Sequence, residues 1–355
     1  MNIFAKKSVK TQSNSNLYVH NADQLKDYNK VGFWQRLRLK VFSTRFLGQL
    51  IWKIFRFVLL VGISYIIIYP FFTKISSSFF SQSDFIDSTV KMIPKAPTLD
   101  TYKNIIIEND YFEALFNTAL LSVLTAVLQT LICAFVGYGL AKFKFKGRGL
   151  VFAFVVLTMV IPNKTLMFST FMKFKYFDFL GISNMLNSLL HYSKNANGGI
   201  DLINTFWPLA LLSITGIAFK NGLYIFIFRQ FYKGVPDELE EAAYVDGSGV
   251  FKTYFRIILP LTIPMMVTIF MFSFSWQWTD TYYSGLFFTT TSPIKLLPKV
   301  IEIPATMNTS FAAKDLYESA ILNTAGLLVV FPLFIVFLFA QNALVEGIER
   351  SGIVG

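Results

Sequence analysis

The stretch EEAAYVDGSGVFKTYFRIILP, residues 240–260, is charged, rich in small residues and punctuated by glycine, although it lies between two strongly apolar segments. Asp237 can cap the start of a short helix that has a glutamate three residues further on, and Gly247 can end this helix in the left-handed conformation. A second short helix can then lead to Pro260, which opens the next apolar segment. We call residues 236–260 the elbow, and we expect it to lie flat on a membrane surface.

The composition places the chain in a lipid bilayer. Of its 355 residues, 54% are hydrophobic and only 15% are charged, whereas soluble domains carry about 25% charged residues. The mean hydropathy is +0.51. Windows of about 20 apolar residues predict an all-α integral membrane protein with about six transmembrane helices, at 51–73, 114–141, 150–172, 205–228, 257–278 and 321–343.

The basic residues follow the expected membrane topology. Of the 32 Lys and Arg residues, 20 fall on the side of the N-terminus and 10 on the opposite side, which predicts that both termini and the elbow are cytoplasmic. This bias accounts for most of the net charge of +11 without a nucleic-acid partner, because the basic residues form no single patch with interleaved aromatic residues. One cysteine, Cys133, and two histidines leave no set for a disulfide framework or a Cys/His metal cluster.

Four regions follow from these patterns: a polar and basic cytoplasmic tail over 1–50, the first span with an extracellular loop over 51–113, a core of five spans over 114–343, and a cytoplasmic tail over 344–355. Residues 1–32 show no periodic apolar residues and no signal-peptide pattern. Residues 33–54 mix aromatic and basic residues, which suits either a helix lying on the inner leaflet or an extension of the first span. Residues 191–201, HYSKNANGGID, have the composition of an exposed loop.

The elbow contains a spaced motif: Glu-Ala-Ala, three residues, Gly, nine residues, and Ile-x-Leu-Pro. It is met in full by Glu241, Ala242, Ala243, Gly247, Ile257, Leu259 and Pro260. The motif resembles the EAA loop of permease subunits of bacterial ABC importers. The stretch FRQFYKGVPDELEEAAYVDG, which includes Asp246, is especially similar to the carbohydrate-importer branch related to the smaller permease of the maltose system. The resemblance covers most of residues 60–355, whereas residues 1–50 and 191–201 are not typical of that family.

The resemblance implies a type I ABC importer permease fold, and a transport subunit rather than an enzyme. Residues 237–246 would form a coupling helix held in a cleft of a separate ABC ATPase. This chain has no Gly-x-x-x-x-Gly-Lys-Ser/Thr phosphate-binding loop, so ATP and Mg would be bound by that partner, and no cofactor is expected in this chain. The resemblance also implies a second homologous permease, an extracytoplasmic solute-binding protein and a carbohydrate substrate, in the bacterial cytoplasmic membrane.

Polar residues within or beside the spans are candidates for the substrate path. A lysine near mid-bilayer costs roughly 2.5 to 3.5 kcal/mol, so it should face protein, water or a partner. The candidates are Asn163, Lys164, Lys220, Asn221, Trp276, Trp278 and Asp280. The two lysines would suit the hydroxyls or carboxylates of an oligosaccharide, an acidic one in particular, but structural pairing with a sister subunit or snorkelling remains open. The tryptophans around Asp280 suit either a sugar or the interfacial belt.

Three alternatives compete with this prediction. An ABC importer permease for a non-sugar solute would share the same elbow. A stand-alone secondary transporter would need acidic residues in its spans as proton or sodium sites, and these spans are nearly free of Asp and Glu. A membrane-embedded enzyme would need paired carboxylates or a Ser/His arrangement in its spans, and no catalytic residues can be nominated.

Overall fold

The computed structural model describes residues 44–178, 199–218, 220–307 and 313–350. These residues form helices and turns, with one isolated antiparallel bridge between Phe177 and Ile200, so the predicted all-α fold class is confirmed. The α-helices are, in chain order, α1 (Thr44–Ser77), α2 (Asp100–Glu108), α3 (Tyr111–Lys142), α4 (Arg148–Val160), α5 (Met167–Lys175), α6 (Trp207–Ile214), α7 (Asn221–Gly234), α8 (Glu238–Val245), α9 (Val250–Thr253), α10 (Leu259–Trp278), α11 (Tyr282–Phe287) and α12 (Lys314–Arg350). The predictions for residues 1–43, for most of 191–201 and for the last five residues lie outside the described residues.

The chain divides into two compact units, Met1–Thr73 and Lys74–Gly355. Helix α1 provides the described part of the first unit. Its side chains from Gly48 to Phe72 are exposed, and most of them are apolar. A helix that is hydrophobic all round requires an apolar environment, as expected for the first span. Helix α1 begins at Thr44 and is continuous, so residues 44–54 belong to the same helix as the segment expected to form the first span.

By length and composition, four helical segments of the described residues can cross a membrane: Gly48–Ser77, Tyr111–Lys142, Val250–Trp278 and Lys314–Val345. A fifth span results if α4 and the segment Lys164–Lys175, which are bent by 89° at a short break, are counted together. Pro162 lies at this break, where it lacks an amide hydrogen and disfavours a helical conformation of the preceding residue. The helix predicted over 150–172 is therefore bent and not straight.

The span predicted over 205–228 is divided into two helices. Helix α6 ends at Ile214 and α7 begins at Asn221. Between them, Gly216 and Lys220 have φ angles of 73° and 72°, which a right-handed helix cannot contain. The structure thus corrects the prediction of one unbroken span at this position. Non-helical backbone at membrane depth is tolerated where it is buried in protein or lines a cavity.

Helix α3 packs along both α7 and α10 in the second unit. Gly137 permits a close approach to α7, because a Cβ atom added there would lie 2.6 Å from Phe228 Cβ. Towards the elbow, the contact continues as a buried aromatic cluster that includes Tyr138, Tyr232 and Tyr254. Helix α3 therefore connects the elbow to the middle of the fold.

Candidate functional site

The elbow forms as two helical arms joined at a glycine. After α8, Gly247 has a φ angle of 77°, so the predicted left-handed helix end is confirmed. The Gly247 amide donates to the Tyr244 carbonyl at 3.0 Å, and the Ser248 amide donates to the Ala243 carbonyl at 2.9 Å. These bonds satisfy carbonyl groups at the end of α8 and fix the direction in which the chain leaves it.

The second arm continues directly into the following span. Helix α9 leads into a π-helical turn, Tyr254–Ile258, and then into α10. This turn comes immediately before Pro260, which has no amide hydrogen to donate within a regular helix. The second arm and α10 therefore form one continuous helical segment, Val250–Trp278, which joins the elbow directly to an apolar segment of spanning length.

The motif residues divide between two faces of the elbow. The exposed ones are Glu241, Ala242, Asp246, Gly247 and Pro260. Ala243 is buried, and Ile257 and Leu259 pack against the aromatic cluster. Val245, at the end of α8, is 87% exposed. One face of α8 thus points outward with small, acidic and apolar groups, while the other holds the elbow against the spans.

A lysine at the end of α3 ties the elbow to the spans. Lys142 Nζ donates to the Val235 carbonyl at 2.6 Å and to Asp237 Oδ1 at 2.5 Å. It also lies 3.9 Å from Glu240 Oε1, and the Lys142 side chain is only 5% exposed. Asp237 precedes α8 as predicted, but its side chain makes no capping hydrogen bond. Its carboxylate binds Lys142 instead.

The two carboxylates next to Lys142 differ in their pKa. The hydrogen bond from Lys142 lowers the pKa of Asp237 below its ordinary value. Burial raises the pKa of Glu240, and the positive charge of Lys142 opposes this effect only in part. Desolvation of the charged form therefore dominates at Glu240, and pairing dominates at Asp237.

The two interrupted segments line one cavity of about 440 Å³. Its walls include Thr158 and Pro162 on one side and Ile217, Lys220 and Gly222 from the other segment. Among the described residues, Lys220 is the one charged member of a mostly apolar lining. A Cβ atom added at Gly222 would lie 2.5 Å from Thr158 Oγ1, so glycine here lets α7 begin directly against α4. A cavity of this size is in the range of small-molecule sites.

A narrower cleft of about 20 Å³ shares Ala218 with this cavity and is also lined by Trp276, Gln277 and Asp280. Lys220 Nζ lies 4.5 Å from the centroid of the Trp276 ring, within the range of a cation–π contact. The Trp276 side chain is 51% exposed. The Trp276 ring and the Lys220 cation thus lie together where the narrow cleft meets the larger cavity.

Gln129, in the middle of α3, lines the narrow cleft and was missed by the sequence analysis. Its Nε2 donates to Ser213 Oγ at 3.3 Å, and its Oε1 accepts from Ser273 Oγ at 2.7 Å. These contacts join α3 to α6 and α10. A signal was present in the sequence, because a glutamine inside the apolar run LLSVLTAVLQTLICAF is costly unless it is hydrogen-bonded.

The cleft wall contains two further buried polar atoms, the Tyr224 hydroxyl oxygen and the Gln277 side-chain nitrogen. Neither atom has a hydrogen-bond partner among the described residues. A buried polar atom without a partner costs about 1–3 kcal/mol. The wall of the cleft is therefore suited to a polar group, such as a hydroxyl, that would satisfy them.

The other polar residues predicted near the two breaks occupy different environments. Lys164 is exposed in the turn beyond Pro162 and is not in the lining of either space. The side chain of Asn163 is outside the described part of the structure. Asn221 is fully buried, and its Nδ2 donates to the Ser213 carbonyl at 3.4 Å. Of this group, Lys220 alone combines a charge with a place in the cavity wall.

Trp278 and Asp280 have structural partners. Trp278 is 2% exposed, and its Nε1 donates to the Val329 carbonyl of α12 at 2.9 Å. It packs in a core cluster and is not in the lining of either the cavity or the cleft. Asp280 lines the cleft, but its Oδ2 accepts from the Ser284 amide at 2.8 Å near the start of α11. Burial raises the pKa of the Asp280 carboxyl, and the hydrogen bonds from Ser284 and Tyr283 oppose this.

Residues 126–350 match a protein family described as "Binding-protein-dependent transport system inner membrane component". Curated relatives extend the likeness over most of the chain. The galactooligosaccharides transport system permease protein GanQ of Bacillus subtilis (strain 168) is 26% identical over 85% of this chain and 95% of that protein. The arabinooligosaccharides transport system permease protein AraQ of Halalkalibacterium halodurans is 26% identical over 82% and 93%. The maltodextrin transport system permease protein MalD of Streptococcus pneumoniae is 24% identical over 83% and 93%.

Two solved structures share the fold. One is a chain of a bacterial ABC transporter involved in the import of the acidic polysaccharide alginate, with a TM-score of 0.61 and 17% identity over 85% of this chain and 98% of that chain. The other is a chain of a bacterial alginate ABC transporter in complex with an alginate pentasaccharide-bound periplasmic protein, with a TM-score of 0.56 and 16% identity over 82% and 93%. The ABC importer permease fold expected from the sequence is therefore confirmed.

Proposed function

Because this chain belongs to the family of binding-protein-dependent transport system inner membrane components, we propose that it is the permease subunit of an ATP-driven carbohydrate importer. It is a multi-pass membrane protein, with four or five apolar segments of spanning length among its described residues. The observation that carries the proposal is the elbow, which is continuous with α10, anchored to α3 and exposed on its outer face. Relatives named for oligosaccharide or maltodextrin transport, aligned over more than four fifths of this chain, support the carbohydrate class.

The proposed partner at the elbow is an ABC ATPase that binds ATP and Mg in its own chain. Ala242 on the outer face of α8 allows the surface of this partner to approach closely. Glu241 offers a charge to a basic side chain, and Val245 offers an apolar contact. When a pair of ATPase subunits closes on ATP, rigid movement of α8 would tilt the spans and change the side to which the cavity opens.

The proposed substrate path runs past the cavity between the interrupted segments. The Trp276 ring offers a face to a sugar, and the polar atoms of Tyr224 and Gln277 can bind hydroxyl groups. Lys220 can bind a hydroxyl or a carboxylate, so the proposed substrate class includes acidic oligosaccharides. The alginate transporters support the fold alone, because they are only 16% and 17% identical to this chain.

The proposed assembly contains more than this chain. A second homologous permease would supply the other half of the path. An extracytoplasmic solute-binding protein would deliver the carbohydrate on one side of the cytoplasmic membrane. The elbow and both termini would lie on the cytoplasmic side, as the distribution of Lys and Arg predicts.

The test is uptake by the complete complex, purified from its own membranes and placed in proteoliposomes with the solute-binding protein. Labelled neutral and uronate-containing oligosaccharides are offered with ATP on the ATPase side. We expect uptake that requires ATP and the binding protein. Uptake driven by a proton or sodium gradient without ATP would contradict the proposal, and ATP-driven uptake restricted to amino acids or peptides would contradict its carbohydrate part.

A further inference from the structure

The start of α8 is held by the ammonium group of Lys142, whose side chain is only 5% exposed. Lys142 is the last residue of α3, and its hydrogen-bond acceptors, the Val235 carbonyl and Asp237, immediately precede α8. Glu240, within α8, adds a third oxygen at 3.9 Å. A buried ammonium group is tolerated only when it is paired and hydrogen-bonded. Separation of α8 from α3 would leave this charge unpaired, so the contact opposes any movement of one helix without the other.

Aromatic packing joins the second arm of the elbow to the same end of α3. The Tyr138 ring, one turn before Lys142, has its centroid 4.7 Å from the Tyr254 ring and 5.5 Å from the Tyr232 ring. Tyr254 opens the π-helical turn after α9, and all three rings are buried. Both arms of the elbow are therefore anchored on one end of α3, the first by charge and the second by packing.

Helix α3 extends from this anchor to the narrow cleft. Gln129 lies 13 residues before Lys142 in an uninterrupted helix, which is a distance of about 20 Å at 1.5 Å per residue. Its amide binds Ser213 and Ser273 beside the cleft. An axial shift or tilt of α3 at Lys142 would therefore displace the polar cluster around Gln129.

We propose that Lys142 locks α8 to α3, so that the elbow and α3 move as one body and carry the movement of the ATPase to the polar cluster at Gln129. Lys142 is a positioning residue in this scheme and does not contact the substrate. The inference rests on the proposed function, because it presupposes an ATPase that docks on the elbow. It adds a second route of transmission, through α3, to the direct continuity of the elbow with α10.

The first test measures sugar transported per ATP hydrolysed by the complete importer in proteoliposomes. Lys142→Met should preserve ATP hydrolysis but lower this ratio about tenfold, a typical size for coupling between sites. Lys142→Arg keeps the cation and should retain most of the coupling. Lys146→Met is the matched control, because Lys146 is an exposed lysine in the turn that follows α3. A wild-type ratio in Lys142→Met would overturn the inference.

The second test replaces the contact between α8 and α3 with a covalent link. It also tests the inference if the Lys142→Met complex does not assemble. A Lys142→Cys, Asp237→Cys variant is cross-linked with a bis-methanethiosulfonate whose spacer is about as long as a lysine side chain. Each cysteine thiolate forms a disulfide with one end of the reagent and releases methanesulfinate, and the native Cys133 is buried and does not compete. Before cross-linking we expect the low ratio, and afterwards a ratio within about threefold of wild type. A cross-linked complex that hydrolyses ATP without transport would show that α8 must move against α3, which would overturn the inference.

These outcomes differ from failure of the proposed function. If the wild-type complex itself shows no ATP-dependent sugar uptake, the importer proposal fails, and the inference that rests on it fails with it. If the wild type transports and the Lys142 variants behave as wild type, the importer proposal stands and only the connection through α3 is excluded.

Discussion

The Ser273 hydroxyl donates a hydrogen bond of 2.7 Å to the side-chain oxygen of Gln129, which joins α10 to α3 beside the narrow cleft. The two residues are 144 positions apart in the chain, and both are buried. This bond lies where the helix that continues the elbow meets the helix that anchors it. Its loss should therefore affect both stability and transport.

Gln129→Leu should lower the free energy of unfolding by about 1–3 kcal/mol, because it leaves the buried Ser273 hydroxyl without its acceptor. Adding Ser273→Ala should recover part of this loss, since removal of both partners is less costly than removal of one. Thermal unfolding of the purified complex measures the effect. Equal instability of the single and double variants would show that the bond does not connect the two residues energetically.

The two tryptophans at the end of α10 should respond differently to replacement by phenylalanine. Trp278→Phe removes the donor to the buried Val329 carbonyl and should lower the free energy of unfolding by about 1–3 kcal/mol. Trp276→Phe changes a half-exposed ring beside Lys220, so it should lower stability less than Trp278→Phe does and should raise the apparent KM for sugar uptake. Thermal unfolding and uptake are measured on both variants. The reverse pattern would contradict the assignment of Trp276 to the path.

Lys220 and Lys164 should also respond differently when each is replaced by methionine. Lys220→Met places an apolar group over the Trp276 ring and should alter the uptake of at least one class of oligosaccharide, most of all an acidic one. Lys164→Met should leave uptake unchanged, because Lys164 lies outside both linings. Initial rates with neutral and uronate-containing sugars provide the comparison. Unchanged uptake of every sugar by Lys220→Met would remove this residue from the path.

The elbow was predictable from the sequence because its determinants are local. A left-handed glycine after a short acidic helix depends on neighbouring residues, and Gly247 adopts the predicted conformation. The role of the Asp237 side chain was not predictable in the same way. Its carboxylate binds Lys142, which is 95 positions away, and a pattern within one helix cannot reveal a competing partner from another.

Hydropathy identified the apolar segments but not their interruptions. The window over 205–228 is predominantly apolar, and the break between its two helices contains positive φ angles at Gly216 and Lys220. A lysine in this conformation has no strong sequence signal. Gln129 was missed for a different reason, because its two serine partners belong to helices that come together only in the fold.

Glu240 provides a test based on pH. Burial raises the pKa of its carboxyl, so the folded protein holds this proton more tightly than the unfolded chain does. The protonated Glu240 carboxyl therefore contributes to stability when the pH is below the pKa of an ordinary glutamate. This contribution is lost as the pH rises through the raised pKa of the folded protein. Glu240→Gln should therefore match or exceed the wild-type melting temperature at pH 7, with a difference that narrows on acidification.

Melting temperatures between pH 5 and pH 8 check this expectation. Glu238→Gln, which changes an exposed carboxylate on the same helix, is the matched control. A Glu240→Gln variant less stable than wild type at pH 7 would show that attraction to Lys142 outweighs the burial of the Glu240 charge.

The most direct measurement of the central claim is the recovery of partner chains with the tagged protein from gently solubilised membranes. Three versions are compared: wild type, Gly247→Pro and Gly249→Pro. Proline cannot adopt the φ angle of 77° at Gly247 and would remove its amide donor, whereas the φ angle of −76° at Gly249 suits proline. We expect an ABC ATPase and a second permease with wild type and Gly249→Pro, and the second permease without the ATPase with Gly247→Pro. Wild-type protein recovered alone, under conditions that keep a known importer complex intact, would contradict the account.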